Sequence, residues 1–133
     1  LRRQRQMCIR DRYNNIPNLV NLMNKQNLNE YIKMIVNFSF EANKYFNDSE
    51  PWSIKKKDPE RMNTILNTIT HQIKNISILL NPIIPDSTKK ILNTINVKEE
   101  DIKISNISNK DILNYNEDLK SLEILFTKIE NDN

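Results

Sequence analysis

The chain has 133 residues, with no glycine, five prolines and one cysteine, a length that suits one domain or part of one. Average usage would give roughly nine glycines. Their absence excludes a GxGxxG dinucleotide loop, a GxxxxGK[ST] phosphate loop, a GxSxG elbow and Asn-Gly hairpins. A single cysteine and a single histidine exclude an internal disulfide and a cysteine zinc cluster. No apolar run exceeds three residues, as at Ile78 to Leu80, so neither a membrane span nor a secretory segment is present in these residues. The expectation is a soluble, cytoplasmic, mainly helical protein without a membrane partner.

The net charge of +3 is unevenly distributed. Residues 1–12 carry five arginines and one aspartate, whereas residues 13–133 carry one arginine and 14 lysines against 16 acids. The first twelve residues also lack the asparagine, isoleucine and lysine bias of the remainder. They read as an adapter-like, non-native segment, with a basic nucleic-acid-binding arm as the competing reading. Cys8 falls inside it and receives no role.

Residues 13–27 predict a short helix after Pro17. From 28 to 46, Leu28, Ile32, Ile35, Val36, Ala42 and Phe46 recur at three- and four-residue steps opposite Lys33, Asn37, Glu41 and Lys44. That spacing predicts an amphipathic helix, which Asn27 or Asn29 can cap. Residues 47–57, with Pro51, read as a loop. Asp58-Pro59-Glu60 is a helix start: an N-cap, a first-turn proline and an acid at the positive end of the dipole. Met62, Ile65, Leu66, Ile69, Ile73, Ile76 and Leu80 then lie within ~60° of one direction. This predicts a helix over 59–80 that stops before Pro82. Pro82 to Pro85 form a corner, and a fourth helix follows with Ile84, Thr88, Ile91, Leu92 and Ile95 inward and Asn96 as its stop. Beyond Val97, residues 102–107 read as extended, 111–122 as a short helix and 122–129 as an extended apolar strip. The predicted fold is an all-α antiparallel helical bundle over residues 13–98. A partly extended C-terminal tail, residues 99–133, packs on the bundle or on a neighbouring domain.

No catalytic constellation or metal site stands out. His71 lies about 180° from the apolar stripe of its helix and reads as a solvated surface residue. The stretch that invites a ligand is Pro51-Trp52 with Lys55, Lys56 and Lys57. Composition alone favours a packing role for the sole tryptophan. The alternative is a platform on which an unstacked RNA base lies, worth about 1–3 kcal/mol, with the lysines drawing in the phosphate backbone.

Ala42-Asn43-Lys44-Tyr45-Phe46, Pro51-Trp52, Lys57-Asp58-Pro59-Glu60-Arg61-Met62, Leu80-Asn81-Pro82-Ile83-Ile84-Pro85 and Leu125-Phe126-Thr127-Lys128-Ile129-Glu130 occur in this order. Together they resemble the anticodon-binding domain of bacterial methionyl-tRNA synthetase over roughly residues 16–131. The resemblance implies a helical bundle of the class I synthetase type. It implies tRNA(Met) as partner, Trp52 stacking on the first anticodon base, and Asn43 and Pro51 shaping that pocket. Methionine, ATP and magnesium belong to the parent enzyme's Rossmann-type catalytic domain. This chain carries neither of the catalytic signatures and is not catalytic by itself. The family also reads the base with an asparagine and an arginine on the bundle's first helix, which is expected before residue 13 and is not supplied by residues 1–12. Thr127 replaces the usual proline. The alternatives are the bundle of another class I synthetase (for valine, leucine, isoleucine or cysteine) and a structural bundle with no RNA role.

Overall fold

A computed structural model describes residues 16–107, 109, 111–113 and 117–130. Residues 1–12, read above as an adapter-like segment, lie outside the described residues; the first helix begins at Ile16 and so includes Pro17, which was expected to precede it. The architecture is all-α, with no strand among the described residues. In chain order α1 is Ile16–Asn24, α2 Leu28–Ser49, α3 Pro51–Ile54, α4 Pro59–Leu80 and α5 Pro85–Thr94. Single 3-10 turns follow at Glu99–Asp101 and Ile104–Asn106. No described helix is long and apolar enough to cross a membrane.

A chain without glycine must stop its helices by other means. Among the described residues three non-glycine residues take the left-handed conformation: Gln26 (φ 57), Glu50 (φ 42) and Asn96 (φ 62). Each follows a helix, where glycine is the usual occupant because a Cβ is disfavoured there. At α1, Asn27 N–H donates to the Leu22 carbonyl (2.9 Å) and Gln26 N–H to that of Met23 (3.0 Å). At α5, Val97 N–H donates to Leu92 (2.9 Å) and Asn96 N–H to Asn93 (3.0 Å), with Leu92 and Val97 both buried. These are paired Schellman stops. Asn96 therefore ends α5 as the sequence predicts. Asn27 stands at the start of α2, but its side chain makes no capping hydrogen bond. Its N–H is committed to the end of α1 and its carbonyl to Tyr31 N–H.

The chain divides into two compact units, the second beginning at Ser77. In the first, α1 packs on α2, and Leu19, Tyr31, Ile35, Phe38, Ala42, Tyr45 and Ile65 are buried. Tyr45 and Ile65 form a core cluster flanked by Ile54 and Ile69. On α2 the inward residues are therefore Tyr31, Ile35, Phe38, Ala42 and Tyr45, while Leu28 and Val36, expected inward, are exposed. The same displacement occurs on α4. Ile65, Thr68, Gln72 and Asn75 form its buried line, whereas Leu66 and Ile73 on the apolar stripe are 40% and 38% exposed. The buried arc lies about a quarter turn from the stripe. His71 lies nearly a further quarter turn beyond the centre of that line, yet it too is only 8% exposed, as is Lys74 one turn on (0%), which corrects the surface reading. Gln72 Nε2 and Asn75 Oδ1 are buried with no hydrogen-bond partner among the described residues.

In the second unit Ile78, Leu79, Leu92, Ile95, Val97, Ile107 and Leu113 are buried. The corner after α4 is tied by Thr88. Its hydroxyl accepts from Asn81 Nδ2 (3.0 Å) and lies within donating distance of the Ile84 and Pro85 carbonyls (3.0 and 3.1 Å). Residues 118–125 run alongside α5 in the opposite direction. Asn96 Nδ2 donates to the Asp118 carbonyl (3.1 Å), Lys120 N–H to Thr94 (3.0 Å), Lys90 Nζ to Ile124 (3.1 Å) and Ser87 Oγ to Leu125 (3.3 Å). The tail departs from the sequence reading in two places. Residues 104–106 form a 3-10 turn where extended chain is expected, and 117–122 are not helical. The α5 side chains and backbone supply the tail's hydrogen bonds, so it needs neither helix nor ladder.

Candidate nucleic-acid interface

The site begins where α2 ends. Glu50 turns left-handed (φ 42, ψ 58) and its N–H donates to the Phe46 carbonyl (3.2 Å). Pro51 follows as the first residue of α3, a position that needs no N–H donor. The predicted loop thus contains one helical turn. Ser53 N–H donates to the Glu50 carbonyl (2.9 Å), and Lys57 and Asp58 N–H both reach the Ile54 carbonyl (3.0 and 2.8 Å). Asp58 then caps α4 as predicted, its Oδ1 accepting from Arg61 N–H (3.0 Å).

This turn decides where Trp52 goes. Pro51 is buried and Ile54 packs on the Tyr45–Ile65 cluster. On a single turn, inward residues at i and i+3 leave i+1 and i+2 facing out. Trp52 and Ser53 are accordingly exposed, with Trp52 at 57%. The packing role that composition favours is therefore not the one observed. Trp52 is held on one side by Phe46, the ring centroids 5.5 Å apart at an interplanar angle of 62°. That edge contact fixes the indole and is worth about 0.5–1.5 kcal/mol.

Lys55, Lys56 and Lys57 follow immediately, all exposed. Asn43 is exposed on α2, one turn before Phe46. Five of the six residues singled out from sequence thus sit on the segment 51–57, and the sixth, Asn43, stands on α2. Two residues that position the site were not singled out as members of it, Phe46 and Glu50. The signal for Phe46 was its adjacency to Tyr45, which places one ring inward and the next at the rim. For Glu50 there was none, because a left-handed glutamate has no sequence signature. Among the described residues no group of three or more histidine, cysteine, aspartate or glutamate side chains is placed to hold a metal ion.

What the arrangement offers is one flat aromatic face, an amide and a run of cations at the rim of a rigid turn. Residues 3–133 match the family model described as the anticodon binding domain of methionyl tRNA ligase. The chain is 33% identical over 111 residues to the methionine–tRNA ligase of Rickettsia felis, which covers 84% of the chain and 22% of that protein. It is 33% identical over 100 residues to that of Phocaeicola vulgatus (75% and 14%) and 37% identical over 89 residues to that of Cytophaga hutchinsonii (67% and 13%). The chain therefore spans about a fifth, or less, of the length of these relatives. It belongs to the family of anticodon-binding domains of methionyl-tRNA ligase.

Proposed function

We propose that the chain reads the CAU anticodon of tRNA(Met) for a methionine–tRNA ligase. The parent enzyme joins methionine to this tRNA with ATP and magnesium in a cytoplasmic setting. That chemistry belongs to its catalytic body, and the chain contributes recognition.

The observation that carries this reading is the exposed indole of Trp52, pinned edge-on by Phe46 beside three exposed lysines. A base lying on such a face gains about 1–3 kcal/mol without needing a particular sequence. Selectivity then comes from groups at the base edge, for which the Asn43 amide offers both an NH2 donor group and a carbonyl acceptor. Pro51 sets the floor from which the indole projects. Lys55, Lys56 and Lys57 steer the phosphates, so affinity falls with salt in proportion to the phosphates neutralised. Because the platform is built before the base arrives, little side-chain ordering opposes binding.

The test is binding of an RNA stem–loop with CAU in its loop to the wild-type chain and to Trp52→Ala. The expected loss is about 10- to 100-fold, with the helical content unchanged. Equal affinity for the two proteins would contradict the reading. Replacing Lys55, Lys56 and Lys57 with glutamine should weaken binding to every stem–loop alike and flatten its salt dependence.

A further inference from the structure

Of the three left-handed residues that stop helices among the described residues, Glu50 alone carries a charge. It stands between Ser49 of α2 and Pro51 of α3, where the chain turns so that Trp52 faces outward. A Cβ in that region is disfavoured, and backbone strain of this kind collects where ligands are held. Both backbone groups of Glu50 are committed. Its N–H donates to the carbonyl of Phe46 (3.2 Å), the residue whose ring holds the indole, and its carbonyl accepts from Ser53 N–H (2.9 Å). The Cα of Glu50 is thereby fixed no more than ~7 Å from that of Trp52.

The side chain, by contrast, is uncommitted. Of the neighbouring acids, Asp58 caps α4 through Arg61 N–H and Asp48 interacts within the protein. Glu50 is exposed, and its carboxylate has no hydrogen bond or ion pair among the described residues. An acid here opposes the phosphates that Lys55, Lys56 and Lys57 attract, unless it meets a hydrogen-bond donor of the RNA. A carboxylate only accepts. On the edge of a pyrimidine, cytosine presents the N4 amine where uracil presents the O4 carbonyl.

We propose that Glu50 separates cytosine from uracil at this site, its carboxylate accepting from the N4 amine of the base that lies on Trp52. This rests on the proposed role of Trp52 and adds the base identity that stacking does not supply, since the two pyrimidines present similar faces to an indole. Uracil in the same pose sets O4 against the carboxylate, acceptor against acceptor, and leaves both unpaired. Asn43, with both a donor and an acceptor, tolerates either base. Discrimination is then gained at a cost in stability, the left-handed Cβ of Glu50.

The experiment measures preference as well as affinity. Stem–loops with CAU and UAU in the loop are titrated against the wild-type chain, Glu50→Gln and Glu50→Gly, with the fluorescence of Trp52, the sole tryptophan, as signal. The wild-type chain should prefer CAU roughly 10-fold or more. Glu50→Gln keeps the size and the left-handed Cβ but can turn its NH2 toward O4, so the preference should fall to about threefold or less, mainly through tighter binding of UAU. Glu50→Gly should lose the preference as well while unfolding at a higher urea concentration. A CAU loop with 2′-deoxycytidine should lose no more affinity for wild type than for Glu50→Gln; a loss confined to wild type would assign the carboxylate to the ribose hydroxyl and overturn the base contact. An unchanged preference in either Glu50 variant, or no preference in wild type, overturns the proposal and leaves the Trp52 reading standing, since Trp52→Ala is expected to weaken both loops alike. Failure of both loops to quench Trp52 in the wild-type chain would overturn the two together.

Discussion

Trp52 and His71 are each the sole residue of their type in the chain, and their two surroundings treat them in opposite ways. The turn α3 spends its inward positions on Pro51 and Ile54 and so turns the largest aromatic ring out to water. The middle of α4 takes His71, Thr68, Gln72 and Asn75 inward and leaves Leu66 and Ile73 partly in water. Residue type alone would have reversed both assignments. The difference shows that in a small helical domain the direction of a side chain is set by which neighbours on its own element are already anchored. At Trp52 that geometry leaves an aromatic face free, and a free aromatic face on a stiff mount is what an unstacked base requires.

The comparison can be broken most forcefully through the anchors. Ile65 is fully buried beside Tyr45, so Ile65→Ala should cost about 2–5 kcal/mol in urea unfolding. Trp52→Ala should cost about 0.5–1.5 kcal/mol, the loss of its edge contact with Phe46. Similar losses for the two variants would show that Trp52 is a core residue after all. A smaller effect is expected where α2 meets α3. Glu50→Gly relieves a left-handed Cβ and should raise stability by about 1 kcal/mol, whereas Glu50→Ala, which keeps that Cβ, should not. A gain from alanine equal to that from glycine would mean that the carboxylate, and not the backbone, is unfavourable there.

The smallest effect is electrostatic and lies in the second unit. Lys89 Nζ meets Glu99 Oε1 at 2.9 Å on the surface. The hydrogen bond to Glu99, and then the charge of that carboxylate, hold the Lys89 pKa above the usual 10.5. A lysine whose folded pKa is raised contributes its stability below 10.5 and loses it as the pH climbs through the raised value. Glu99→Gln should therefore lower the Lys89 titration midpoint measured by NMR and leave the urea midpoint at neutral pH unchanged within error. An unaltered titration would show that the pair does not persist in solution.

Much of this fold is legible in the sequence because its helix boundaries are chemical. Asp58-Pro59 starts α4 and Pro82 ends it, and the observed span is Pro59–Leu80. Asn96 stops α5 because, among the residues available, asparagine tolerates the left-handed region best. The buried face of α4 was not legible. Periodicity reports where the apolar residues are, not which partner covers them, and Thr68, Gln72 and Asn75 carry no sign of their burial. Part of the tail was misread for a related reason: Leu119 and Leu122 suggest a helix facing a core, yet they are exposed, and side chains of α5 and Asn96, with the Thr94 carbonyl, hold the segment. At the site itself, Pro51-Trp52 and the lysines stood out in the sequence. The outward aim of the indole did not, because it follows from Ile54 reaching the Tyr45–Ile65 cluster three residues after Pro51.

The account turns on whether the accessible face of Trp52 is where RNA lands. Acrylamide quenching of the tryptophan fluorescence, measured with and without the CAU stem–loop, addresses this directly, since Trp52 is the only emitter of its kind in the chain. The account predicts efficient quenching of the free protein and strong protection on addition of the stem–loop. Efficient quenching that persists at saturating RNA would contradict it.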